Sequence, residues 1–454
     1  MRDLAFVAFL VGLLGLGFRR PFLFVLVYAY IDTVAPQRLS YYLLNSLPLS
    51  LIVACLAFAG WLLADKKTGV GFSVRQGLLA LLLCYSFYTT ANADFPIAAK
   101  EKWDWASTAL AFAIFLPFTL RSKLRIESLL LFLTISAATI IIVGGLKTVA
   151  SGGGYGVLNL MVTNNSNLYE SSTISTIAIA LIPIIAWLAR FGTVFPPDWR
   201  VKAFAAGLIF ACLLMPIGTE ARTGLVCIAV LGLLTLRNVK RRFLFVAGAG
   251  LLVLASVPFL PDSFTGRMST IQGYEGDSSA KVRLAVWSWT WNYAQEHPQG
   301  GGFGAYLGNK IQVRTVTTRN VGGVESITAV NGVDEGRAWH SAYFEMLGEQ
   351  GFPGLLLFLV LHICGLVRME VIRRRYRLAE GDKAWIAPLA TALQHFQIIY
   401  LVGASFVAIA YTPFTLMILG IQIGLDSLVA RRERAERPRP AFMPARTPAG
   451  TAPA

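Results

Sequence analysis

The chain has 454 residues, 55% of them hydrophobic and only 14% charged. Soluble domains carry about 25% charged residues, so this composition excludes an ordinary soluble globular protein and indicates a multi-spanning membrane protein. The formal net charge of +15 does not mark a nucleic-acid partner, because the basic residues sit in alternate short loops between apolar runs.

Those runs, of about 15 to 24 residues, are long enough or nearly so to cross roughly 30 Å of hydrocarbon as helices. The first follows Met1-Arg2-Asp3 without a small-residue cleavage site and reads as retained. Spans are expected near 3–18, 21–35, 46–64, 76–92, 104–120, 127–149, 171–190, 202–217, 220–236, 243–260, 341–368, 385–408 and 411–429. The first two are short enough to form one broken hairpin, which leaves a total of 12 or 13. Basic clusters fall at Arg19-Arg20, Lys66-Lys67 with Arg75, Arg121 to Arg125, Arg190 to Lys202, Arg237 to Arg242, Arg368 to Arg377, and in the tail from Arg431 to Arg439. This positive-inside pattern orients those loops to the cytoplasm. The expected organisation is all-α and polytopic: transmembrane helices over 1–260, a loop outside the cytoplasm with interfacial helices over 261–339, transmembrane helices over 340–430, and a disordered basic tail over 431–454. The cysteines Cys55, Cys84, Cys212, Cys227 and Cys364 all lie in apolar runs and read as small core residues, neither disulfides nor metal ligands.

The large loop balances seven basic against seven acidic residues over 262–339. Trp287, Trp289, Trp291 and Tyr293 crowd one stretch starting near Lys281 and predict an amphipathic helix on the outer surface of the membrane domain. GGGFG at 300–304 lacks the strand–turn–helix setting of a nucleotide loop and reads as a tight turn against the bundle.

Three arginines and one histidine carry the candidate chemistry. Arg222, in TEARTGLV, opens a span on the external side, and Arg283 begins the aromatic helix. A guanidinium keeps its charge and matches phosphate oxygens with a planar fork. Against this, an arginine at a helix end also snorkels without function, and the two readings are evenly balanced. For Arg267, Arg314 and Arg319 pairing with loop acids is the preferred reading. His340 lies in RAWHSAYFEMLGEQG, residues 337–351, in which Tyr343, Phe344, Leu347 and Gly351 share a helical face with it. Arg337, one turn earlier, would hold the imidazole neutral and so proton-accepting. A lone histidine is more often structural; His362 and His395 read as hydrogen-bonded core residues, and His297 as a turn residue. No Asp-x-Asp pair, metal-spaced cluster or Walker loop occurs, so the expected chemistry needs neither metal nor nucleotide, and no cofactor is expected.

ARTGL (221–225), the Arg283…Trp287 helix, the Gly300–Gly304 turn and HSAYFEMLGEQGFPG (340–354) together resemble the O-antigen ligase and polymerase superfamily of bacterial inner membranes. The match is best from about 170 to 370. The opening RRPFLFVLVYAYIDTVAPQRLSYYLLNSLP is similar to the ligases associated with exosortase systems. The resemblance implies a C-type glycosyltransferase-like enzyme in the inner membrane with its site facing the periplasm. Its donor would be a glycan on undecaprenyl pyrophosphate, and its acceptor a hydroxyl of lipid A–core. Arg222 and Arg283, with Arg337 as a third contact, would bind the pyrophosphate, and His340 would be the base of an inverting transfer. Two alternatives use the same donor: an O-antigen polymerase, and transfer to a protein hydroxyl. A lipid-linked glycan transporter would place ionisable residues near the midplane within inverted repeats, which the sequence does not suggest.

Overall fold

The computed structural model describes residues 2–65, 67, 71–153, 155, 167–237, 243, 278–321 and 324–436. The expected span 243–260 beyond its first residue, Arg267 and the tail beyond residue 436 lie outside them.

The architecture is helical and polytopic. The N-terminal part comprises α1 (Arg2–Arg19), α2 (Phe22–Val34), the single turn α3 (Pro36–Leu39), α4 (Leu49–Ala64), α5 (Val74–Ala91), α6 (Pro96–Thr119) and α7 (Lys123–Ser151). Then come α8 (Ser171–Phe191), α9 (Trp199–Gly218), α10 (Arg222–Leu236), α11 (Ser278–Glu296), α12 (Ala342–Arg375), α13 (Ile386–Gly403) and α14 (Pro413–Glu436). Among the described residues six helices are long and apolar enough to cross a membrane by length and composition: α7, α8, α9, α12, α14 and the segment Gly381–Gly403. Phe22–Val34, Leu49–Ala64 and Arg222–Leu236 are shorter apolar helices.

Local chemistry sets the helix starts. Ser73 and Gln76 form a reciprocal capping box on α5, Ser122 caps α7, and the Glu170 carboxylate accepts from Thr173 N at 2.6 Å to cap α8. Small residues let the helices approach where side chains offer little directional force. A Cβ at Gly145 would lie 3.0 Å from Ala211 Cβ, and one at Gly403 would lie 2.3 Å from Thr176 Cγ2.

The two ends of the bundle differ. At the end carrying the short basic loops, cations tie helices together: Arg125 to Asp65 at 2.7 Å, Arg75 and Arg368 both to Asp426, Arg237 to Glu370 at 3.0 Å, and Lys123 to the Phe191 carbonyl at 2.7 Å. At the other end, Tyr169 donates to Val34 O at 2.6 Å, the Asp3 carboxylate accepts from Tyr41 N and Tyr42 N, and Asp94 N donates to Gly301 O at 2.9 Å.

The large loop lies at this second end. The expected aromatic helix is present as α11, packed on α12. The loop also holds an antiparallel hairpin, β1 (Lys310–Val321) with β2 (Val324–Glu335), paired from Lys310↔Glu335 to Val321↔Val324. Only interfacial helices were expected here, but KIQVRTVTTRNV and VESITAVNGVDE are rich in β-branched residues, which favour strands. The Gly300–Gly304 turn does pack against the bundle, with Gly300, Gly302 and Gly304 at positive φ.

All five cysteines are free, Cys212 and Cys227 within the core. The side chain of His362 is hydrogen-bonded as expected, to Gln397 Nε2 at 2.9 Å. That of His395 differs: its Nε2 has no partner among the described residues.

Candidate active site

Helix α12 is two helices joined at Gly351, whose φ of 62° and ψ of −166° break the regular path, with Pro353 just beyond. The head, Ala342–Gln350, is held on several sides. Ala342 N donates to Ala404 O at 2.8 Å and Tyr343 Oη to Leu401 O at 2.8 Å. Gly301 N and Gly302 N donate to the carbonyls of Gly348 and Glu349 at 3.0 and 2.9 Å. On the outer side Trp287 stacks on Phe344 with ring centroids 5.0 Å apart, and its indole N–H donates to Trp339 O at 2.9 Å. The Trp339 ring is buried over Gly348, where a Cβ would lie 2.2 Å away.

His340 follows Trp339 directly. The expectation that it shares a helical face with Tyr343 and Phe344 is corrected: it precedes the helix, in the left-handed region at φ 47°. The residue is exposed there, next to the buried Trp339. Three described non-glycine residues have positive φ, Ala35, Glu220 and His340, and all lie in turns at this end. For residues with a Cβ such backbones cost energy and persist where surrounding structure enforces them, often at functional sites.

The His340 pKa lies below its ordinary 6.5. Loss of hydration is the first cause; the positive charge of Arg283 adds to it, the Glu170 carboxylate opposes it, and Arg337 adds a further lowering. The imidazole is therefore kept in its neutral form, able to accept a proton. The structure thus brings Arg283 and Arg337 within electrostatic reach of His340. Arg283 is half-buried in the second turn of α11, a little inside the helix start expected for it. Arg337 is exposed, and its Nε donates to Asp334 Oδ2 at 2.5 Å, which occupies part of its fork. Arg222 is the first residue of α10, after the Thr219–Ala221 turn in which Glu220 takes φ 52°. Its helix packs on α8, the helix capped by Glu170. Arg314 and Arg319 lie along β1.

Sequence reading missed four groups. Glu170 is one. The others are Lys102, on α6, and Glu345 and Glu349, on the head of α12. Lys102 Nζ lies 2.7 Å from Glu345 Oε1 and 2.7 Å from Glu349 Oε2, and the two acids are buried. The spacing of the acids was a usable signal, since residues i and i+4 share a helix face and two acids there on an apolar helix call for a cation. Among the described residues no group of three or more His, Cys, Asp or Glu is arranged to hold a metal ion.

A helical bundle in which six of the described helices are long and apolar enough to cross a membrane has the architecture of a multi-pass membrane protein. Residues 206–359 match the family described as O-antigen ligase, and residues 1–193 match a family of unknown function, DUF5935. The first of these matches spans 154 of the 454 residues and supports a likeness to the O-antigen ligase-like superfamily and a glycan-transfer function of the ligase or polymerase type. The comparison with curated proteins gives no match.

Proposed function

We propose that the protein is an O-antigen ligase, transferring a glycan from undecaprenyl pyrophosphate to a hydroxyl of lipid A–core at the periplasmic face of the inner membrane. The observation that carries this reading is the convergence of Arg283, Arg337 and a neutral-leaning His340 at one end of the bundle, within the stretch that matches the O-antigen ligase model.

In this mechanism His340 takes the acceptor hydroxyl proton as the oxygen attacks C1 of the first sugar. The C1–oxygen bond to the pyrophosphate breaks, and undecaprenyl pyrophosphate departs with the bonding pair. Attack from the face opposite the leaving group inverts the anomeric carbon. Arg222 and Arg283 neutralise the charge that grows on the departing pyrophosphate, an effect strongest where donors are preorganised. Arg337, already paired with Asp334, is the weaker contact. Pyrophosphate is a good leaving group, so two fixed guanidiniums suffice without a metal.

The test is transfer by purified protein from an undecaprenyl-pyrophosphate glycan to lipid A–core, resolved by size. Wild type yields capped lipid A–core and folded His340→Ala yields none. Equal product from both removes the histidine from the mechanism. Product that forms only on a second lipid-linked glycan, or only on a protein hydroxyl, replaces the ligase reading with polymerase or protein glycosylation.

A further inference from the structure

The buried charges at Lys102, Glu345 and Glu349 have no part in the transfer chemistry, yet every polar atom in the cluster is used. Glu345 Oε1 accepts from Lys102 at 2.7 Å and Oε2 from Ala410 N at 2.9 Å. Glu349 Oε1 accepts from Lys102 at 2.9 Å and from Gly304 N at 3.2 Å, and Oε2 from Lys102 at 2.7 Å. The aliphatic surroundings are closed by the rings of Phe303 and Tyr411, whose centroids lie 5.1 and 5.5 Å from the ammonium. All four carboxylate oxygens thus meet N–H donors, from three separate segments of chain.

We infer that Lys102 is a positioning residue for the candidate site, holding the Ala342–Gln350 head of α12 through Glu345 and Glu349 and thereby fixing His340. The two acids are one helical turn apart, so a single cation bridging them fixes the rotation of the head about its axis as well as its distance from α6. The head carries that constraint forward: Trp339, immediately before His340, packs on Gly348 of the same turn. The clamp also crosses the boundary between the two family matches, because Lys102 lies in the region of unknown function and its partners lie in the O-antigen ligase region. The N-terminal region accordingly supplies the fixed wall against which the residues of the second region are set. The catalytic meaning of this clamp rests on His340 being the base, but the clamp itself can be read without any transfer reaction.

The experiment measures amide hydrogen exchange over the segment 339–350, followed by mass spectrometry on the full-length protein in detergent. Lys102→Met leaves two buried carboxylates without their cation, which local structure relieves by moving. Amides of the head then exchange about tenfold faster than in wild type, while those around buried His362 stay protected and so report an intact bundle. Where Lys102→Met does not fold, Lys102→Met/Glu345→Gln/Glu349→Gln removes all three charges but keeps acceptors for Ala410 N and Gly304 N, and the same acceleration is expected. An unchanged exchange rate over the head in either folded variant overturns the inference. In the transfer assay Lys102→Met lowers kcat and leaves donor KM in place; equal loss through KM overturns the positioning role. If wild type transfers nothing while the exchange rates still diverge, the functional proposal fails and the clamp stands.

Discussion

Gly351→Ala tests whether the kink in α12 is what latches the Gly300–Gly304 turn onto the helix head. The native backbone there, φ 62° and ψ −166°, is open essentially to glycine alone, and forcing a Cβ residue into such a region costs about 1–3 kcal/mol. Space is the harder obstacle. An added Cβ would lie 2.1 Å from Pro298 O, 2.5 Å from Gln299 C and 2.5 Å from Gly300 N, all backbone atoms that no rotamer change can clear. The turn must withdraw. That breaks Phe352 N to Pro298 O at 3.0 Å, Gly301 N to Gly348 O at 3.0 Å and Gly302 N to Glu349 O at 2.9 Å, each worth about 0.5–1.5 kcal/mol. Together these give a destabilisation on the order of 5 kcal/mol. The assay is thermal unfolding in detergent at a fixed scan rate, followed by tryptophan fluorescence, because Trp287, Trp289 and Trp339 surround the latch. The control is Gly207→Ala, in α9, where a Cβ would meet nothing within 4 Å and where alanine favours a helix by about 1 kcal/mol. A Gly351→Ala protein that melts with wild type would refute the latch.

Three further outcomes follow from the site. Arg222→Lys keeps the charge and loses the planar fork, so transfer should fall about 100-fold with the protein still inserted; wild-type rates would remove Arg222 from pyrophosphate binding. The acid limb of kcat/KM should lie below pH 6.5, because the base works only when neutral and its folded pKa is depressed. Arg283→Gln removes a charge that lowers that pKa and should move the limb to higher pH, whereas Glu170→Gln removes one that raises it and should move the limb lower; shifts of the same sign in both variants would contradict His340 as the titrating group. Asp94→Asn weakens the hydrogen bond that the Tyr293 hydroxyl makes to Asp94, and should loosen α11, seen as faster proteolysis between Gly300 and Arg337.

The helices of the bundle were legible because length and apolarity alone define a crossing segment, and loop charge defines its direction. The Arg222 helix start and the aromatic helix were legible for similar local reasons. His340 stood out in the sequence as a candidate, but its backbone did not, since a histidine at φ 47° has no local signature. The hairpin is invisible to helical periodicity, although KIQVRTVTTRNV and VESITAVNGVDE carry the β-branched residues that favour strands. Lys102 was illegible in a stronger sense. Its partners lie more than two hundred positions away, and KEKWDW reads locally as nothing more than a polar flank.

The basic loops from which the sequence reading takes the chain's orientation are also structural members. Arg75 and Arg368 converge on Asp426, Arg125 holds Asp65, Arg237 joins Glu370, and Arg431 reaches the Leu120 carbonyl at 3.0 Å. The guanidiniums from which orientation is expected are thus the ones that close the bundle. A charge-reversal series designed to flip the protein would also unfasten its helix ends, so a lost signal from such a series would report assembly as much as sidedness. Arginines of this group with no acid partner among the described residues, such as Arg190 over the Phe191 ring, are where the two effects can be separated.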